Sequence, residues 1–426
     1  MNIFMLDSFV KTLAGPCMIR ERHPVLACCS GGVDSMVLLD LLARACEQMR
    51  LKLGVVHVDH GIRGESSRSD ALFVEERCAA LGLLCHVYRL SLGPDTPNLE
   101  EEARRRRYEA VRACMMDNGY TAAATGHTMD DQAETLIYRF IRGSGVRGLA
   151  GMEIRNSWGL VRPLLVFTRD QVEEYAAVRG IPSVEDVTNR DPAIARNLIR
   201  REIIPVMRKI NHSVIESACR LADIARKEGE LVEDLSKEIE KSACEHSWGI
   251  VRVYRSRELS GAPRAAVERM VIRVLSDMLG EPRGIDSSQV GLVMDVIAGS
   301  MRAHTVRRRV RVQNDGGRVA FSITGPAPFY EFQADRPGTM TIAPLGQRIR
   351  IFSKSRGAVR ASIRSLLPGD RIGDERAVRV LAEHGIAKAL RPFWPVLISC
   401  GRIVSVAGVL DSCPETELKT EFPCHG

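Results

Sequence analysis

Ser30-Gly31-Gly32-Val33-Asp34-Ser35 is the first segment whose residue types suit a chemical task. It stands between a short apolar run, Val25–Cys29, and a helical pattern over Met36–Met49. Two glycines let the backbone approach a ligand closely, and small hydroxyls with N–H groups at a helix start cradle phosphate. The Walker A pattern GxxxxGK[ST] is missing. Asp34 sharpens the reading. A carboxylate beside phosphates is repulsive unless a cation bridges them, so Mg²⁺ is inferred. A tight turn with capping serines is the plainer alternative.

Three more groups stand out. His57-Val58-Asp59-His60-Gly61-Ile62-Arg63 closes the second strand pattern, where nucleotide contacts occur in parallel sheets, although a capped turn accounts for a histidine pair equally well. In the helical stretch from Thr96 to Met116, Leu99, Ala103, Ala110, Val111 and Cys114 recur at helical spacing. Arg107 projects from the middle of that stripe, while Arg105 and Arg106 point away. An inward arginine needs an anion, either a bound one or the carboxylate of a buried salt bridge. Gly126-His127-Thr128-Met129-Asp130-Asp131-Gln132-Ala133-Glu134-Thr135 follows the next strand. Met129, Ala133, Leu136, Ile137 and Phe140 make the buried face of its helix, and His127, Asp131 and Glu134 share another face near the N-terminus. Helix-dipole capping explains Asp130 and Asp131, but not the histidine and the inward glutamate.

The elements that must position these groups alternate. Strand patterns at Val25–Cys29, Leu53–Val58, Cys85–Leu90 and Tyr120–Thr125 are interleaved with helical patterns at Met36–Met49, Ser69–Leu81, Thr96–Met116 and Met129–Ile141. This predicts an α/β fold, a doubly wound parallel sheet with its site at the carboxyl ends of the strands. Thr168-x-x-Gln171 reads as a helix start and Gly180 as a helix end. Asp191-Pro192 opens a helix carrying Arg196, Arg200 and Arg201, and Ser213 to Ala243 reads as one long charged helix. Val306–Val312 and Arg318–Ser322 flank Asn314-Asp315-Gly316-Gly317 as a β-hairpin, with Arg307-Arg308-Arg309-Val310-Arg311 as a basic strand. Pro326, Pro328 and Pro337-Gly338 mark a linker. Beyond about Ala343, strands mix with one helix and end in a hairpin over Phe393–Leu410. The expected domains are 1–212 (catalytic), 213–330 (long helix and middle domain) and 343–426 (small α+β domain).

Composition sets the outer limits. At roughly 100–200 residues per domain, 426 residues suggest two to four domains. With 45% hydrophobic and 27% charged residues, a mainly disordered, collagen-like or small disulfide-stapled chain is excluded. The 60 Lys+Arg against 53 Asp+Glu give +7, compatible with an anionic partner but not diagnostic of one. Aromatics at 5% argue against a broad base-stacking platform. The 12 cysteines include no CxxC pair, which fits free thiols in a reducing cytoplasm. Asp7 and the lack of a basic start make the N-terminus a poor signal peptide, and Pro395, Gly401 and Arg402 break the longest apolar run. A soluble, cytoplasmic protein without membrane partners is expected.

The loop Ser30–Ser35 resembles that of the PP-loop ATP pyrophosphatases, which cleave ATP between the α and β phosphates and adenylate a substrate. The ordered set of motifs resembles one family among them, the tRNA(Ile)-lysidine synthetases. That set comprises SGGVDS, HVDHGIR, Ala103-Arg104-x-x-Arg107-Tyr108, GHTMDDQAET, Arg142-Gly143-Ser144-Gly145 with Gly148-Leu149, and Arg162-Pro163-Leu164-Leu165. Asp186-Val187-Thr188-Asn189-Arg190-Asp191, Arg196-Asn197-x-Ile199-Arg200 and Pro205 complete it over about the first half of the chain. In the second half, Leu367-Pro368-Gly369-Asp370-Arg371 is the clearest piece. Two positions depart from the family pattern: Thr128 stands where many members have a second histidine, and Thr188 where serine is usual.

The resemblance implies ATP and Mg²⁺ as cofactors, free L-lysine as a substrate, and an isoleucine tRNA with a CAU anticodon as partner. Cytidine 34 would be adenylated at C2 and then attacked by the lysine ε-amine. It also implies roles. Ser30, Gly31, Gly32, Val33, Asp34, Ser35 and His57 would bind ATP, with Asp34 holding the metal. Arg107 would meet the lysine carboxylate. Asp131 with His127 or Glu134 would orient the ammonium and take its proton. Arg104, Arg196 and Arg200 would stabilise phosphate or tRNA, and the base would leave the anticodon stack. Arg307, Arg308, Arg309 and Arg311 are candidates for phosphate contacts, a solvated face being the alternative. The oligomeric state stays open, a homodimer being one option. Two rival functions are a PP-loop tRNA sulfur transferase and a non-catalytic tRNA-binding protein.

Overall fold

Along β1 (Pro24–Cys28), successive side chains enter two different cores. Val25 and Ala27 pack with Leu13, Leu38, Leu41, Val74 and Tyr175, whereas Leu26 packs with Val56, Val111, Cys114 and Ala123. A strand buried on both faces reads as continuously apolar because its side chains alternate between two covered sides. The computed structural model describes residues 2–59, 65–90, 96, 99–184, 195–280, 285–325, 329–334, 338–342, 345, 347–353, 361–411 and 416–421. His60 to Arg63, the Asp186–Asp191 motif and the expected helix start at Asp191-Pro192 lie outside the described residues, as do Pro97, Pro326, Pro328 and Pro337.

The chain forms two compact units, Met1–Gly229 and Glu230–Gly426. The first runs through α1 (Asn2–Ala14), β1, α2 (Val33–Met49), β2 (Lys52–Asp59), α3 (Glu65–Ala80), β3 (Leu84–Arg89), α4 (Leu99–Asn118), β4 (Ala122–Ala124) and α5 (Met129–Ile141). It continues through α6 (Val146–Leu149), β5 (Leu160–Val161) and α7 (Arg169–Arg179). Sheet order is β3-β2-β1-β4-β5, and every pairing is parallel. The order reverses between β1 and β4, so the loops after these two strands meet at the topological switch point, the expected ligand crevice of an open α/β sheet. Those loops are Ser30–Ser35 and Gly126–Thr128. The doubly wound parallel sheet predicted from the sequence is present.

Beyond the sheet, α8 (Ala195–Leu198) passes through a π turn, Ile199–Ile203, into α9 (Ile204–Ile210). Pro205 supplies the cause. Its ring conflicts with an α-helical carbonyl four residues back, and the chain responds by widening: the Ile204 N–H reaches the Ile199 carbonyl instead. The helix expected over this stretch is therefore broken in register at Arg200 and Arg201. α10 (Val214–Ala243) matches the predicted long helix.

After the end of α10, the second unit continues with the antiparallel strands β6 (Cys244–Trp248) and β7 (Val251–Arg255), followed by α11 (Ser256–Gly261), α12 (Arg264–Leu279) and α13 (Ser287–Ala298). Then come β8 (Ala303–Val306), β9 (Val310–Asn314) and β10 (Arg318–Ile323). The Asn314–Gly317 hairpin forms as expected, with Gly316 at φ +89°. The basic strand forms only at its end, where Val310 and Arg311 open β9. Arg307 and Arg308 sit at φ +48° and +57° in the turn joining β8 to β9, closed by the Arg309 N–H on the Val306 carbonyl at 3.0 Å. Further on, Pro395–Ser399 and Arg402–Val406 pair through Cys400-Gly401, as the apolar pattern predicts. Trp248, Val251 and Ala320 share one core with Ile363, Trp394 and Val396 within this unit. No helix among the described residues is long and apolar enough to cross a membrane.

Gly126 makes the close approach at the switch point possible. A Cβ there would lie 2.9 Å from the carbonyl carbon and oxygen of Asp34. Gly126→Ala is expected to destabilise the protein by about 1–3 kcal/mol, the usual range for overpacking, which thermal and urea unfolding will measure.

Candidate active site

The loop after β1 is held by its own serines. Ser35 Oγ accepts from the Ser30 N–H at 3.1 Å and donates to the Gly32 carbonyl at 2.8 Å, so α2 starts at Val33 without a separate side-chain cap. Gly31, at φ +92°, is covered by Phe73, Val74 and Val184. His57 is buried, and its Nδ1 lies 2.9 Å from the Cys29 carbonyl. It braces the strand end from which the loop springs, so one ring nitrogen of this expected ATP contact is already engaged. Asp34 projects from the first turn of α2. Its Oδ1 is buried without a hydrogen-bond partner among the described residues, and its Oδ2 lies 3.4 Å from Arg169.

The loop after β4 brings three carboxylates to the same place. Thr128 caps α5, and Asp131 Oδ2 accepts from both the Thr128 N–H (2.8 Å) and its hydroxyl (3.1 Å). Asp131 Oδ1 faces Arg200 at 3.2 Å and Arg169 at 3.4 Å. Glu134, only 2% exposed, is gripped by Arg200 through Nε (2.5 Å) and Nη2 (3.0 Å). Asp130 caps a different helix. It accepts the backbone N–H of Arg169, the first residue of α7, at 2.7 Å, and its other oxygen meets Arg208 at 3.2 Å. The Thr168/Gln171 capping box and Gly180 at φ +61° bound α7 as the sequence predicts. A cavity of about 360 Å³ opens here, lined by Asp130, Glu134, Arg169, Arg200, Pro205 and Arg208 among others.

A second cluster is cationic. Arg104 and Arg107 lie over the Tyr108 ring at 5.1 and 5.5 Å, and both press on His127 electrostatically together with the buried Arg162. Arg104 is itself held below its ordinary value by burial, with Arg107, Arg196 and Arg162 adding repulsion. Among the described residues, none of these four guanidinium groups is paired with a carboxylate. The Tyr108 hydroxyl is buried and without a partner. Arg105 and Arg106 point outward onto Glu102, as the helical stripe predicts.

Burial sets the protonation states. It pushes Asp34 up to about 6, against the pull of Arg169. It pushes His127 down to about 3, so the imidazole is neutral and a weak base. Burial also acts to raise Asp131, but Arg169, His127, the Thr128 N–H and Arg200 hold it below its ordinary value. At Glu134 burial outweighs Arg200 and leaves the carboxyl raised.

The structure thus gathers Asp34, Asp131 and Glu134, and places His127 beside Asp131 with its Nδ1 2.8 Å from Thr125 Oγ1. Arg104, Arg107 and Arg196 form the cationic side. Arg200, expected at phosphate or tRNA, instead spends its guanidinium on Glu134 and Asp131. Phe140, expected on the buried face of α5, is 70% exposed, because Gln132 to Ile137 are buried on nearly every side and the helix emerges after them. Sequence reasoning missed Arg169 and the bridging part of Asp130. For Arg169 the sequence carried no signal, since it is only the first residue after the Thr168 cap; for Arg162 the signal was its place in the quoted Arg-Pro-Leu-Leu motif.

A phosphate-cradling loop and a carboxylate-bearing helix at one switch point define a nucleotide-activating α/β protein, and residues 5–207 match the PP-loop domain, which binds ATP. Curated relatives narrow this. The tRNA(Ile)-lysidine synthase of Solibacter usitatus is 36% identical over 319 residues, covering 74% of this chain and 70% of its own length. That of Symbiobacterium thermophilum is 29% identical over 95% of this chain and 94% of its own, and that of Chlorobaculum tepidum 31% identical over 68% and 91%. The chain belongs to the tRNA(Ile)-lysidine synthase family.

Asp34 makes the site costly when it is empty of ligands. With its folded value near 6 and an ordinary value of 3.8, the native state binds the proton more tightly, so stability falls as pH rises from about 4 to about 6. In unfolding without nucleotide or metal, the advantage of Asp34→Asn over wild type is expected to grow by about 2–3 kcal/mol between pH 4 and pH 7. An advantage independent of pH would contradict the assignment.

Proposed function

We propose that this chain is an ATP-dependent ligase joining the ε-amine of free lysine to C2 of cytidine 34 in an isoleucine tRNA with a CAU anticodon. The products are lysidine in the tRNA, AMP and pyrophosphate. The observation that carries this reading is the meeting of Asp34 with Asp131 across Arg169, at 3.4 Å to each. It supports a reading in which the loop activates ATP and the acidic turn opposite binds an ammonium in a single crevice.

In the first step the C2 oxygen of cytosine attacks the α-phosphorus, and the bond to pyrophosphate breaks. N–H groups at the start of α2 receive the phosphates, and the helix dipole favours their charge. Asp34 Oδ1, withdrawn from water and without a partner, fits a divalent cation. Asp34 would hold Mg²⁺ there, which would supply charge to offset the pyrophosphate. In the second step the lysine ε-amine attacks C2, the C2–O bond breaks and AMP leaves. The amine must first lose a proton. Asp131, held ionised, suits binding of the ammonium, whereas Glu134, with its raised carboxyl, is the better acceptor. His127, held neutral by burial, is the weaker candidate for the base. Arg107 would meet the lysine carboxylate, and Arg104 and Arg196 a phosphate, since this cluster has cations without carboxylates. Extrusion of cytidine from the anticodon stack brings the base into the crevice.

Functionally we divide the chain as 1–212 for catalysis, with 213–330 and 343–426 for holding the tRNA body. Arg307 and Arg308, exposed in a left-handed turn, are presented toward solvent where a phosphate backbone can meet them.

The test supplies ATP, Mg²⁺, radiolabelled lysine and unmodified isoleucine tRNA with CAU, followed by mild base treatment that strips aminoacyl esters. Label retained on the tRNA is the expected result; tRNA-dependent AMP release without label would show that the nucleophile is not lysine. Asp131→Asn should lower lysine-dependent turnover by about 10²-fold while leaving tRNA-dependent ATP–pyrophosphate exchange measurable. Unchanged lysine turnover would remove Asp131 from the mechanism.

A further inference from the structure

Two arginines serve the acidic turn, and they are held differently. Arg200 grips Glu134 with two hydrogen bonds at 2.5 and 3.0 Å. Arg169 only touches its partners, with one nitrogen 3.4 Å from Asp34 and 3.4 Å from Asp131, and its buried Nε has no partner. Its backbone is nevertheless fixed. The N–H is held by Asp130 at 2.7 Å, and α7 is tied to α2 by Tyr175 donating to Asp40 (2.7 Å) and Arg44 donating to Tyr175 (2.9 Å). The side chain, by contrast, is held among the described residues by its two long contacts to Asp34 and Asp131 and lines the cavity. The charge count matters too: the groups acting on Asp34 are Arg169, Asp131, Arg200 and Glu173. Adding a divalent cation to Asp34 makes the Arg169 charge surplus there, while pyrophosphate leaving the adjacent loop needs one.

We infer that Arg169 is a displaceable counter-ion, which keeps Asp34 and Asp131 together until a divalent cation takes Asp34 and which then swings to the departing pyrophosphate. The inference rests on the ATP–metal reading above. Mn²⁺ is the probe, with free metal read by electron paramagnetic resonance on the full chain without nucleotide. Arg169→Ala should bind Mn²⁺ about tenfold more tightly than wild type, the lower end of what one neighbouring charge does to a carboxylate. The same variant should slow tRNA-dependent ATP–pyrophosphate exchange by about 10²-fold, as the loss of a preorganised donor does. Arg169→Gln, which keeps the stem as far as Cδ and removes the charge, gives the same readout should the alanine variant fold poorly. Mn²⁺ affinity equal to or weaker than wild type in these variants would overturn the inference. If wild type and Asp34→Asn bind Mn²⁺ alike, the metal reading itself fails, and the inference with it.

Discussion

Four carboxylates at the switch point are withdrawn from water, and each must find a cation within the fold. Asp130, Asp131 and Glu134 come from little more than one turn of α5, and Asp34 comes from the loop opposite. An isolated buried charge costs several kcal/mol even after relaxation. The cations arrive from later in the chain: Arg169 from the start of α7, Arg200 from the π turn and Arg208 from α9. The segment after β5 therefore has to fold back over the crevice before the helix that starts it can be stable. Asp130 ties this return down by capping α7 itself. Pro205 contributes indirectly, since the register change it forces lies at Arg200.

The same bookkeeping of charge divides the crevice into two halves. On one side, carboxylates outnumber the cations that touch them closely, which suits an ammonium. On the other, Arg104, Arg107, Arg162 and Arg196 gather around Tyr108 and His127 with no carboxylate paired among the described residues, which suits carboxylate and phosphate. His127 stands between the two. Burial and the surrounding guanidiniums keep it neutral, so it separates the fields without adding charge to either. Lysine carries both kinds of group, and ATP carries one of them.

How much of this was legible depended on the range of the forces involved. The parallel sheet, the switch-point loops, the α7 caps and the Asn314–Gly317 hairpin follow from local pattern, and each stands where the sequence put it. Arg107 was legible because a charged residue inside an apolar stripe breaks a periodicity. Arg169 was not, because it breaks none: it is simply the first residue of a capped helix, and only the packing of α7 on α2 carries it to Asp34. Asp130 was read correctly as a cap but on the wrong helix, since capping of α7 by α5 is a tertiary contact. Arg307 and Arg308 look like strand residues by charge and alternation. Their left-handed backbone carries none of the glycine or asparagine that usually signals such a turn. Phe140 failed for a different reason, the helix leaving the core before its apolar stripe ended.

The thiols beside the loop bear on which nucleophile this crevice serves. A sulfur-transferring site needs a cysteine whose thiolate is accessible, with a lowered pKa and a cationic setting. Cys28 and Cys29 adjoin Ser30, yet burial pushes Cys28 up to about 12 and raises Cys29 as well. Arg107 does act on Cys28, but its pull is smaller than the burial that opposes it. Cys29 is further occupied in packing, with its sulfur 3.5 Å from that of Met36. Cys28 packs against one core at the strand end that launches the loop and Cys29 lies within the other, so neither thiol is set up as an accessible thiolate. The acidic turn opposite is different: its carboxylates are costly to bury and are spared full neutralisation by their arginines. On the proposed mechanism, an amine entering as its ammonium would supply the missing positive charge and then surrender the proton where the carboxyl is raised, at Glu134. In that reading, the electrostatics that make the site costly to fold would also select nitrogen as the attacking atom.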